Sequence, residues 1–276
     1  MNIKIVADSG ADIHTLEGVA FATAPLTIIT DEKQYLDNAD LDVRQMAEEL
    51  KSYKGRSTTA CPGVGDWLEA YGDADYVFVL TITGTLSGSN NSACLAKRDY
   101  EESYLGRKVF VLDTLSAGAE MKLIIEKIAE YIKEGKSFEE ICELATEYHK
   151  RTGLMFMLES MANLANNGRV SSIVAKAAGL LGIRVVGRAS DKGDLEMTDK
   201  CRGEKRALST VFSRMKEFGY KGGKVSIGHC YNEEAAKKLL GLIRQEYPDA
   251  EMEYHYTGGL CSFYAEQGGM MIGFEK

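Results

Sequence analysis

The sequence predicts an α/β fold, and three observations predict it. Residues 76–80 and 108–112 are short, continuous apolar runs of the kind a parallel sheet buries on both faces. Each run is followed by a stretch with helical spacing of apolar residues, so strand and helix alternate. At 276 residues and 45% hydrophobic content, the chain has about two domain-lengths and enough apolar side chains for their cores.

Taken in order, Ile3-Lys4-Ile5-Val6-Ala7 is the first predicted strand, ended by Asp8-Ser9-Gly10, and residues 24–30 are the second. Residues 41–53 are amphipathic, and Pro62 stands where the next helix begins. Strands follow at 76–82 and 108–112. Met121, Ile124, Ile125, Ile128 and Ile132 share one helical face, as do Phe138, Ile141, Cys142, Ala145 and Tyr148, with Gly135-Lys136-Ser137 between them as stop and N-cap. This helix pair closes a first domain at 1–154. The pattern restarts at Leu154 and gives a second domain at 155–276. It reads as strand 154–158, helix 171–181, strands 183–187 and 194–198, helix 204–218, strand 224–228, helix 232–247, and strands 251–256 and 270–274.

Forty-one acidic against 33 basic side chains give a net charge of -8, which argues against a nucleic-acid binder that neutralises many phosphates. The apolar runs are far shorter than the ~18 residues of a bilayer span, and no signal-peptide pattern opens the chain. A cytoplasmic location without stable membrane insertion is therefore expected. Cys61, Cys94, Cys142, Cys201, Cys230 and Cys261 are widely spaced, with no C-x-x-C pair, so free thiols and no metal site are expected. The methionines, among them Met155, Met157, Met161, Met270 and Met271, read as core packing ahead of an adaptable pocket wall.

The loop Thr81-Ile82-Thr83-Gly84-Thr85-Leu86-Ser87-Gly88-Ser89 follows a buried strand and opens a helix. It reads equally as a well-capped helix start and as an anion site built from free N–H groups at the carboxyl end of a strand. Ser57-Thr58-Thr59-Ala60-Cys61-Pro62-Gly63 is a second hydroxyl-bearing approach to a helix, a commonplace start signal that, paired with the first, would converge on one anion. Arg169, in Asn166-Asn167-Gly168-Arg169, and Arg202 are each either a solvated side chain or an anion or partner contact. His14, His149, His229 and His255 read as structural. No Gly-x-Ser-x-Gly, His-Glu-x-x-His, Walker or Gly-x-Gly-x-x-Gly signature is present, so nothing reads as a reaction centre.

In order, Ile5-Val6-Ala7-Asp8-Ser9-Gly10-Ala11-Asp12, Thr59-Ala60-Cys61-Pro62, Leu86-Ser87-Gly88-Ser89, Val111-Leu112-Asp113-Thr114, Asn167-Gly168-Arg169-Val170, Arg202-Gly203 and the stretch from His229 to Ala235 resemble the DegV family of bacterial fatty-acid-binding proteins. The resemblance spans nearly the whole chain. It implies an N-terminal α/β/α domain with a parallel sheet, a C-terminal α/β domain with a mixed sheet, and a long-chain fatty acid between them. It further implies that Thr59 and Ser87 hold the carboxylate. Where the family opens a His-Thr-Gly-Pro-Gly motif with histidine, this chain has Tyr256-Thr257-Gly258, which gives the third contact to the Tyr256 phenol. His255 would reach that place only through a one-residue strand slip that sends it to the opposite face. Arg169 and Arg202 fall on positions linked with phosphate and kinase contact, since kinase-associated members present the bound acid to a separate fatty acid kinase for phospholipid synthesis. No cofactor and no chemistry by the carrier itself are implied. Two other readings stand beside this one. The first is a binder of another amphipathic carboxylate. The second is a phosphate- or flavin-binding enzyme using the loop 83–89, although flavodoxins place such a loop after the first strand.

Overall fold

The computed structural model describes residues 2–171 and 182–276, which form three sheets with helices between and around them. Strands β1 (Ile3–Asp8), β2 (Ala20–Ala24), β6 (Tyr76–Thr81) and β7 (Lys108–Asp113) make a parallel sheet in the order β2-β1-β6-β7. Alternation along β6 sends Val77 and Val79 to one face and Phe78 and Leu80 to the other. The valines pack under α2 (Val64–Tyr71) and α3 (Ser89–Ser103), through Trp67, Tyr71 and Ala96. Phe78 and Leu80 meet α4 (Ala119–Lys133) and α5 (Phe138–His149), through Ile124, Ile128 and Ile141. Helices on both faces explain why β6 is apolar throughout rather than alternating.

Residues 24–30, expected as one strand, are two. Pro25 supplies no N–H for a ladder, and there the chain leaves the parallel sheet. β3 (Thr27–Thr30) instead centres a small antiparallel sheet between β4 (Gln34–Leu36) and β5 (Ser57–Ala60), backed by α1 (Val43–Ser52) through Met46. The Ser57-to-Ala60 run, expected only as a helix approach, is thus a paired edge strand.

The third sheet is mixed. It orders β10 (Leu195–Arg202), β9 (Ile183–Ala189), β8 (Thr152–Leu158), β13 (Met270–Glu275), β11 (Val225–His229) and β12 (Met252–Tyr256), with only β11 and β12 parallel. Met155 and Met157 of β8 pack under α7 (Glu204–Glu217) and α8 (Glu233–Glu246), whereas Leu154, Phe156 and Leu158 face the other way. Two short helices, α6 (Ala162–Asn166) and α9 (Gly259–Ala265), sit beside that second face. Helix α4 packs against β1 of the parallel sheet and against β11 and β13 of the mixed one, so it is the layer they share. The expected boundary at 154/155 falls inside β8, which begins at Thr152. The helix expected at 171–181 lies, Ser171 apart, outside the described residues. Among the described residues no helix is long and apolar enough to cross a membrane.

Candidate functional site: an apolar cavity with one polar end

A cavity of about 380 Å³ lies between the carboxyl edge of the parallel sheet and the mixed sheet. From the first come Leu26, the loop after β6 (Ile82, Thr83, Leu86, Ser87, Gly88) and the loop after β7 (Leu115, Ser116, Ala117), and the end of β5 in the small antiparallel sheet adds Thr59, Ala60 and Cys61. From the second come Leu154, Phe156 and Leu158 of β8, Ala189, Gly193 and Leu195 at the β9–β10 turn, and Met271 of β13. Leu164, Arg169 and the α9 residues Leu260, Cys261, Tyr264 and Ala265 complete the lining. Carboxyl-edge loops are where open α/β sheets place ligands, because strands end there while helices begin and leave N–H groups unpaired.

The lining is mostly aliphatic; Thr59, Ser87, Arg169 and Tyr264 gather around the loop 86–88, and Thr83 and Ser116 are further hydroxyl-bearing residues of the lining. The hydroxyls of Thr59 and Tyr264 are 2.7 Å apart. That mutual bond uses one of their two protons and leaves the other free to donate. Burial pushes the Tyr264 phenol up, against smaller pulls from Thr59 and Arg169, so it stays protonated. Ser87 stands at the entry to α3, its Oγ accepting the Ser89 N–H at 3.2 Å. Arg169 Nε donates to the Leu86 carbonyl at 3.2 Å and Nη1 to the Asn167 carbonyl at 2.5 Å, with the guanidinium 6.0 Å from the centre of the Tyr264 ring. Gly88 fits here because a Cβ would stand 3.0 Å from Cys61 Sγ.

Buried carboxylates hold these pieces in place. Asp8, at the end of β1, accepts from Ile82 N at 2.9 Å and Ser89 Oγ at 2.5 Å, which sets the course of the loop after β6. Asp37 accepts from the N–H groups of Gly259 and Leu260 at 2.8 and 2.9 Å, and Asp12 from that of Gly258 at 2.8 Å. Helix α9, which carries Tyr264, is thereby anchored by residues from the opening of the chain. Across the cavity, the Thr85 hydroxyl donates to the Gly193 carbonyl at 2.9 Å and ties the loop to the β9–β10 turn.

Of the residues singled out from sequence, Thr59, Ser87 and Arg169 come together here. Tyr256 does not reach the cavity: it ends β12, is 56% exposed, and lays its ring against His229 with 4.5 Å between centroids. His255 faces the opposite side of that strand, buried near Asp12 across Gly228, and is not part of the lining either. Arg202 is exposed at the end of β10, outside the lining. No group of three or more His, Cys, Asp or Glu side chains is placed to hold a metal among the described residues.

A DegV family model matches residues 2–276. This chain belongs to the DegV family. A DegV domain-containing protein of Streptococcus pneumoniae is 42% identical over 100% of this chain and 99% of its own. Two solved structures of similar proteins are those of a Eubacterium eligens DegV family protein loaded with heptadecanoic acid (45% identity, TM-score 0.97, 99% of each chain) and of the Streptococcus pneumoniae Fatty Acid Kinase B3 protein loaded with linoleic acid (42% identity, TM-score 0.98, 100% of this chain and 99% of that one). Within this DegV chain, sequence reasoning missed Tyr264. Its signal was the helical spacing of Leu260, Tyr264 and Ala265, hidden in a seven-residue helix that opens on glycine.

Proposed function

We propose that this DegV family chain is a carrier for a long-chain fatty acid, its carboxylate held by Thr59 and Ser87 and its tail buried between the two large sheets. The observation that carries the reading is the cavity, aliphatic along its wall and hydroxyl-bearing around Leu86. Structures similar at TM-scores of 0.97 and 0.98 were loaded with heptadecanoic and linoleic acid, which is the ligand class such a cavity suits. In this scheme Tyr264 takes the place expected of Tyr256 as the phenolic donor.

The energetics favour an acyl ligand. Burying about 14 methylenes at ~0.8 kcal/mol each gives roughly 11 kcal/mol, and each hydrogen bond to a charged head about 1.5–3 kcal/mol. The tail supplies affinity and the head sets direction. A carboxylate taken out of water without partners would be neutralised by protonation, so the hydroxyls and the nearby Arg169 charge keep it ionised.

The likeness to a fatty acid kinase B3 protein extends the proposal to presentation: the acid would be phosphorylated by a separate kinase, with Arg169 and Arg202 as phosphate or partner contacts. The carrier does no chemistry of its own. A flavin or phosphate in the loop 83–89 is less well served, because Asp113 already accepts the Gly84 N–H at 3.1 Å and puts a negative charge there. Titration with a fluorescent long-chain acid tests the proposal: saturable 1:1 binding, displaced by octadecenoic acid, is expected, and no displaceable binding contradicts it.

A further inference from the structure

The far end of the β9–β10 hairpin lines the cavity with Ala189, Gly193 and Leu195 but stands clear of the sheet that carries it. Strand β9 pairs with β8 no farther than Arg188, opposite Met155, so residues 189–195 overhang that ladder and pair only with each other, Ala189 opposite Leu195. The overhang is braced from within. Ser190 Oγ accepts the N–H groups of Lys192 and Asp194 at 3.2 and 3.1 Å, and the Gly193 N–H donates to the Ser190 carbonyl at 2.8 Å. Behind it the pairing of β10 with β9 shifts between Met197 and Asp199, which leaves Thr198 as an extra residue at which the strand bends. Facing the overhang, the loop after β6 is equally firm, because Asp113 accepts the N–H groups of Gly84 and Leu115 at 3.1 and 3.0 Å.

Two braced pieces thus meet over the cavity, and among the described residues one hydrogen bond leaves the turn to join them, from Thr85 Oγ to the Gly193 carbonyl. A carbonyl only accepts, so the Thr85 proton is committed to it, and the Thr83 hydroxyl donates in turn to Thr85 Oγ at 3.0 Å. Thr85 is exposed, so water competes for the bond directly. The remaining hold is apolar, Ala189 against Leu154, Cys261 and Met271, all of which line the cavity, so an acyl tail can take over those contacts. We propose that residues 189–195 are the gate through which the acyl chain enters and leaves, latched by Thr85 and hinged at the Thr198 bulge. The inference rests on the fatty-acid reading above and adds the route by which that ligand exchanges. Opening breaks one exposed hydrogen bond, while the braces on either side keep both walls of the cavity intact.

The test is stopped-flow uptake and release of a fluorescent long-chain fatty acid by the full chain. A Cβ on Gly193 would stand 3.1 Å from Thr83 Cβ, close to the ~3.5–4.5 Å that a disulfide spans, so Thr83→Cys with Gly193→Cys staples the gate shut. The same double variant is compared oxidised and reduced, beside wild type given the same oxidant, which cancels the strain of a side chain at the positive φ of Gly193. Loaded and then oxidised, it is expected to release the acid at least about tenfold more slowly than when reduced, and emptied and then oxidised, to take it up correspondingly slowly. Dithiothreitol is expected to restore both rates. Thr85→Val, which needs no disulfide, is expected to raise uptake and release together by about two- to tenfold, the worth of one hydrogen bond, and to leave Kd unchanged. The inference is overturned if the variant exchanges acid equally fast with its disulfide formed and broken, or if Thr85→Val leaves both rates at the wild-type value or speeds release alone, as loss of a plain ligand contact would. A wild-type chain that binds no fatty acid would instead contradict the fatty-acid reading itself.

Discussion

Thr59 and Tyr264 stand 205 positions apart in sequence, and their hydroxyls stand 2.7 Å apart. The polar end of the cavity is therefore shared between β5 of the small antiparallel sheet and α9 near the end of the chain. It exists only when the two are docked.

Replacing Thr59 and Ser87 together by alanine should weaken fatty-acid binding at least about tenfold, since each hydrogen bond to a charged head contributes about 1.5–3 kcal/mol. Both residues are only half-buried, so the fold should survive, with the melting temperature shifted by no more than a few degrees. Displacement of a fluorescent fatty acid measures the first expectation and thermal unfolding the second. An unchanged affinity would place the head group elsewhere.

Asp37→Ala should cost at least ~2 kcal/mol of stability, because it strips the acceptor from two buried N–H groups at the start of α9. Urea unfolding checks this. Asp37→Asn, which keeps one acceptor oxygen, should lose less, and both should loosen the Thr59–Tyr264 contact that α9 carries.

Stability should rise on mild acidification. Burial pushes the Asp8 carboxyl up to about 7 and the Asp12 carboxyl up to about 8, and raises Asp37 beside them. A carboxyl with a raised folded pKa binds its proton more tightly in the folded state, so its contribution is full below the unfolded pKa and is lost as pH rises through 7–8. His255, pulled down to about 4 by burial, acts oppositely, but only below its ordinary 6.5. The urea midpoint should therefore climb as pH falls from about 9 to 6.5, and Asp12→Asn should flatten the climb. A midpoint that falls over this window would contradict the assignment.

Ala189→Phe should shorten the preferred tail. Ala189 lines the cavity from β9, and a phenyl ring there takes up tail space without touching Thr59 or Ser87. Competition between acids of different length should show weaker binding of the longest chains and little change for shorter ones.

Much of this arrangement was legible in the sequence wherever local pattern decides it. The apolar run of β6 announced a sheet buried on both faces, and Met155 and Met157 belonged to the core, as their alternation with Leu154, Phe156 and Leu158 requires. Thr59 and Ser87 were visible as hydroxyls beside helix starts, whereas Arg169 read locally as a turn residue and stood out only through the family resemblance. What long-range pairing decides was not legible. Nothing within residues 57–60 says that β3 will supply their partners, and Pro25 was the sole local mark that 24–30 changes sheets. Tyr256 was placed by analogy with a motif histidine. Its position is set instead by the register of β12 against β11, which pairs it with His229 and turns it toward solvent. Tyr264 reaches the cavity because Asp37 and Asp12 anchor α9 from the far end of the sequence.

The central claim, that the cavity holds an acyl chain, is tested most directly by mass spectrometry of organic extracts of the purified protein together with its native mass. Near-stoichiometric fatty acid, with the native mass raised by that one ligand, is the predicted result. Extracts without fatty acid, from a protein whose native mass matches the bare chain or carries a different compound, would contradict it.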